Sequence, residues 1–131
     1  MLLTLTLLID EYRRNWAIRY LREANSDLST AEKIPIEALS ISFALTAMRK
    51  AQTAVYYSIG DPSYLAQMVN EAIETKEAVK VPTLKLLCDV ELFIRYCADR
   101  KVPHKAKMIR RAEVLLSVAS KLVSMMLGED S

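Results

Sequence analysis

Between Arg95 and Arg111 the chain carries seven lysines and arginines against one acid, Asp99, together with its only histidine, His104. Such a density at Arg95, Arg100, Lys101, Lys105, Lys107, Arg110 and Arg111 suits contact with the phosphates of RNA or of a nucleotide. Each cation there displaces counterions, and the start of a helix adds backbone donors to the same anion. The competing reading is a solvated basic face. Arg100 and Lys101 then simply complement the C-terminal dipole of the helix before them, but cations at the start of the next helix oppose its dipole and need another reason. Tyr96 is the one aromatic interleaved with these bases, which argues against a platform that stacks single-stranded bases.

Other chemistry is excluded by count. One histidine cannot supply a paired-imidazole metal site, and the two glycines, Gly60 and Gly128, are too far apart for a phosphate-cradling loop. The Glu-x-x-His pairs of di-iron bundles are absent. Cys88 and Cys97 lie nine residues apart on one expected helix, about 13 Å along its axis and on opposite faces, so they form neither a disulfide framework nor a zinc site. No metal and no cofactor is expected, and a binding role is favoured over an enzymatic one.

A second group of charges falls where apolar residues are expected. Arg13 and Asp27 project into the apolar arc of the first helix, and Arg49 and Lys50 interrupt an otherwise apolar one. Charges in such places need partners. Arg49 and Lys50 either neutralise Asp27 or line a groove for an anion, and the pairing is the simpler expectation.

The elements that must position these side chains are helical, since two glycines and four prolines in 131 residues leave long uninterrupted stretches. A first helix from about Thr6 to Lys33 buries Ile9, Trp16, Tyr20, Ala24, Leu28 and Ala31 at three-and-four spacing. After Pro35 a second, from Ile36 to Ile59, has almost no polar face and reads as the central helix. Gly60 then serves as a left-handed stop, Asp61 as an N-cap and Pro62 as the first residue of a surface helix that reaches Val79. A fourth helix opens at Pro82 and keeps Cys97 in the core, with Cys88 outside it and Glu91, Arg95 and Asp99 as an exposed i,i+4 series. The fifth runs from the Arg100–His104 turn to Leu127, with Met108, Leu115 and Leu122 spaced by seven as a bundle seam.

Together these give a single domain over residues 1–131, an all-α up-and-down bundle of four to five helices. The apolar start, Met1 to Ile9, lacks a basic leader and a cleavage site and is too short to span a bilayer, so a cytoplasmic protein without membrane attachment is expected.

The run from Trp16 through Tyr20, Glu23 and Asp27 to Glu32, the break at Pro35, and the stretch Ala44-Leu-Thr-Ala-Met-Arg-Lys-Ala-Gln-Thr-Ala-Val-Tyr56 resemble the first helical hairpin of HEPN domains, the nucleotide-binding bundles of higher eukaryotes and prokaryotes. The resemblance covers residues 12–60. It implies an RNA- or nucleotidyltransferase-associated module, often a homodimer, in which some members are metal-independent ribonucleases with an arginine and a histidine where the last two long helices meet. Arg100 and His104 stand at that turn, with three residues between them, fewer than the family's pattern has. If catalytic, His104 would move the proton of a ribose hydroxyl and Arg100 would stabilise the phosphorane charge. Three readings result: a non-catalytic HEPN-like module that self-associates or accompanies a nucleotidyltransferase and binds phosphates; a divergent ribonuclease; and a structural adaptor whose exposed Ile18, Cys88 and Leu92 meet another protein.

Overall fold

Pro35, Pro62 and Pro82 punctuate the chain as expected, and the helices between them are α1 (Leu2–Lys33), α2 (Glu37–Ile59), α3 (Pro62–Thr75), α4 (Pro82–Ala98) and α5 (Lys105–Met126). The computed structural model describes residues 2–76, 79–99 and 104–128, with side chains from Asp10 onward. Among the described residues there is no strand, and the architecture is an all-α bundle. None of the described helices is long and apolar enough to cross a membrane.

Small side chains set the closest packing. Ala17, Ala24 and Ala31 of α1 and Ala44, Ala47, Ala51 and Ala54 of α2 are all fully buried, which lets the two backbones approach closely along an antiparallel hairpin. Ser40 closes one end by donating its hydroxyl to the Ala31 carbonyl. The other end is aromatic: Tyr57 of α2 stacks on Tyr20 and Trp16 of α1 at 5.7 and 6.1 Å between ring centroids. Met48 on α2, Ile94 on α4 and Met108 on α5 fill the centre at no more than 1% exposure. Truncating any of them to alanine would leave a cavity costing about 2–5 kcal/mol.

The expected seam on α5 is present, with Met108, Ala112, Leu115 and Ala119 buried and Leu122 half-buried. Lys105 begins α5 beside Ile34 and Glu37 at the α1–α2 turn. Met126 and Leu127 end it beside Ile59, so α2 and α5 run in the same sense. Tyr96, near the end of α4, meets Arg111 near the start of α5, so α4 runs antiparallel to both α2 and α5 and packs on α2. The four long helices thus alternate in direction, and the short α3 packs on α2 and α4.

Three local expectations are corrected. Gly60 has φ −177° and ψ −145°, an extended conformation rather than a left-handed one. Its N–H still closes α2 on the Tyr56 carbonyl, and the chain then passes straight into Asp61, whose carboxylate caps Ser63 N–H at 2.9 Å. Helix α3 stops at Thr75, short of Val79: Lys76 takes the left-handed conformation at φ 56°, and the Thr75 hydroxyl bonds back to Ala72. Cys88 is buried along with Cys97 because α4 packs against both α2 and α3, and that widens its covered arc.

Candidate functional site

The basic residues expected to act as one surface are divided among different partners. Arg95 turns away from α5 toward α3, donating from Nε to Glu91 Oε2 at 2.6 Å and from Nη2 to Asn70 Oδ1 at 2.9 Å. Lys105 is half-buried, and its ammonium donates to the Ile34 carbonyl. Its backbone N–H donates to Glu37 Oε1 at 3.2 Å, so a carboxylate already occupies the start of α5 where a phosphate was expected. Arg111 lies with its guanidinium 5.3 Å from the centre of the Tyr96 ring. Lys107, Arg110 and His104 are exposed, and His104 sits at the N-cap position of α5 without a side-chain capping bond. Arg100 and Lys101 lie outside the described residues. What remains of the expected surface is a row along α5, Lys107, Arg110 and Arg111, next to a cleft of about 510 Å³ that also has Glu32 and Glu113 in its wall.

The four buried-charge candidates find partners, though not all the expected ones. Lys50 pairs with Asp27 at 2.8 Å, and that contact, set against burial, raises the Lys50 ammonium above its usual value. Arg13 is half-buried and pairs with Asp10 at 2.8 Å, while its Nε is enclosed without a hydrogen-bond partner among the described residues. Arg49 does not reach Asp27. It crosses to α4 and donates from Nη1 to Glu91 Oε1 at 2.7 Å.

Glu91 is therefore the residue that the sequence reading misplaced. Expected on the polar arc of α4, it is 7% exposed and sits at the centre of a network. Its Oε1 accepts from Arg49 and, at 2.7 Å, from Gln52 Nε2, and its Oε2 accepts from Arg95. Gln52 also receives a hydrogen bond from Arg49 at 3.0 Å and donates to the Tyr56 hydroxyl at 3.2 Å. Burial works against an ionised Glu91, but the bonds from Arg49, Gln52 and Arg95 outweigh it and hold the carboxyl below its ordinary value. Burial first, and the Glu91 charge second, push the Tyr56 phenol up to about 12. The signal was present in the pattern: Glu91 lies four residues after buried Leu87 and three before buried Ile94, in line with the core stripe.

This network lines a cleft of about 560 Å³ between α2, α3 and α4, whose walls include Arg49, Thr53, Ser63, Asn70 and Arg95. The cleft is polar and reachable from solvent, with the side chains of Arg49 and Arg95 exposed by 47% and 40%. Of the residues expected on an adaptor face, Leu92 is exposed, Ile18 half-buried and Cys88 enclosed. No group of three or more potential metal ligands occurs among the described residues. A comparison with known protein families, curated proteins and solved structures finds no match to this chain.

Proposed function

We propose that this chain is a non-catalytic, HEPN-like helical module that binds RNA or nucleotide phosphates and that self-associates as a homodimer or accompanies a nucleotidyltransferase. The observation that carries the phosphate part is the α5 row. Lys107 and Arg110 stand one helical turn apart, exposed, with no carboxylate within salt-bridge distance among the described residues. Arg111 continues the row while its guanidinium is steadied on Tyr96. A helix presenting cations at i, i+3 and i+4 follows a phosphate backbone without needing base contacts, so the binding is sequence-tolerant and salt-dependent.

The test is a salt titration of generic single-stranded RNA binding, compared with a triple variant carrying Lys107→Glu, Arg110→Glu and Arg111→Glu. Each phosphate contact with a single strand adds about 0.7 to the slope of log affinity against log salt, so loss of the row lowers the slope by about 2. An unchanged slope and affinity in the triple variant refutes the reading. Light scattering on the same sample tests self-association: a monomer at every concentration removes the homodimer, and the nucleotidyltransferase partnership is then tested by asking whether such an enzyme is encoded beside this chain and co-purifies with it.

A further inference from the structure

We propose that the cleft between α2, α3 and α4 is a second and separate site that binds a small phosphate monoester, gripped by Arg49 and Arg95, with Glu91 holding both guanidiniums in place. A link between α2 and α4 alone requires one cation for one buried carboxylate. Here two guanidiniums from different helices flank the same carboxylate at 2.7 and 2.6 Å, which leaves an excess positive charge. Glu91 is the one acid among the described residues that line the cleft.

Each arginine keeps donors beyond those it gives to the network. Arg49 commits Nη1 to Glu91 and Gln52, so its Nε and Nη2 have no hydrogen-bond partner among the described residues. Arg95 commits Nε to Glu91 and one Nη2 proton to Asn70, so its Nη1 is in the same condition. A guanidinium offers five donors in a rigid fork, and these remaining edges belong to side chains that are nearly half exposed at the cleft. Pinning by Glu91 removes much of the rotamer entropy that a flexible arginine would lose on binding. Thr53 and Ser63 add hydroxyls to the wall.

The cleft volume of about 560 Å³ is that of a small-molecule site. A planar carboxylate is satisfied by one guanidinium fork, whereas the three terminal oxygens of a phosphate monoester can accept from both. A phosphodiester offers two such oxygens and a single charge, so the monoester, with three and a charge of nearly −2 at neutral pH, is drawn more strongly to the excess charge of about +1 here.

The experiment is isothermal titration of the full chain with glycerol 3-phosphate at low ionic strength, with succinate and diethyl phosphate as parallel ligands. Saturable binding of the monoester, with the other two at least about tenfold weaker, is expected. Asn70→Asp places a carboxylate against Arg95 at an exposed, isosteric position, so the fold is kept while monoester affinity falls at least about tenfold. Arg49→Lys keeps the charge, loses the fork and is expected to weaken binding by a similar factor. The triple variant of the α5 row is expected to bind the monoester as wild type does, which separates this site from the RNA surface. The proposal is overturned by absence of saturation up to about 10 mM, by succinate binding as tightly as the monoester, or by wild-type affinity in Asn70→Asp.

Discussion

Replacing Glu91 by glutamine tests the centre of the network most directly. The side chain keeps its size, but it loses its charge and turns one acceptor into a donor that faces an arginine. Removing one partner of a buried ion cluster costs about 3–5 kcal/mol. The guanidiniums of Arg49 and Arg95 are nearly half exposed and can rehydrate, so the expected cost is smaller, about 2 kcal/mol. For a domain of this size that is about 8 °C in melting temperature. The pH dependence makes the prediction specific. Glu91 is held below its ordinary value in the folded chain, so the unfolded chain takes up the proton first as pH falls. Its contribution is complete above the unfolded value of about 4.3 and is lost as pH falls through the lower, folded value. Urea unfolding followed by circular dichroism, on wild type and Glu91→Gln at pH 7, 5, 4 and 3, should therefore show a gap that is constant at the first two and closes on acidification. A gap of the same size at every pH, or none at pH 7, refutes the assignment of an ionised Glu91 bridging α2 and α4.

Further outcomes follow from the other contacts. Asp27→Asn is expected to cost about 0.5–1 kcal/mol at pH 7. Because Asp27 raises Lys50, the wild-type advantage is full below the unfolded lysine value of about 10.4 and disappears as pH rises through the folded one, which an alkaline series of urea midpoints would reveal. Asp61→Ala removes the cap of α3 and is expected to cost about 1 kcal/mol, read as a shift in thermal midpoint, while Asp61→Asn stays near wild type. Burial encloses both cysteines and pushes the Cys88 thiol up, so Ellman's reagent should leave native protein unmodified and titrate both thiols in denaturant. Rapid reaction of the native chain would contradict the packing of α4.

The helices, their order and the central place of α2 were legible in the sequence because proline breaks and three-and-four spacing act locally. The Asp61-Pro62 cap was legible for the same reason: donor, acceptor and ring constraint all lie within four residues. Glu91 was not. Its i,i+4 relation to Arg95 is real and its place in line with Leu87 and Ile94 fits the core stripe, but a carboxylate is buried only where partners wait for it, and those are Arg49 and Gln52, some forty residues away. Helical periodicity does not encode which element will lie across. Arg49 in an apolar helix did demand a partner, yet with Asp27 and Glu91 both available only the packing of α4 decides between them. Glu37 at the start of α5 was not legible for the same reason, since it approaches from the α1–α2 turn, 68 residues away in the chain.

The division of labour within the bundle also shapes how the molecule opens. α1, α2 and α5 share a continuous alanine-rich seam, whereas α3 and α4 rest on each other and meet that trunk chiefly on α2, through Ile94 in the centre, the Arg49–Glu91 bridge and the Tyr96–Arg111 contact with α5. Such an arrangement favours two cooperative units of unequal depth. Amide exchange would then distinguish a slowly breathing trunk from a lighter flap that detaches first, and anything seated against Glu91 would latch the flap shut.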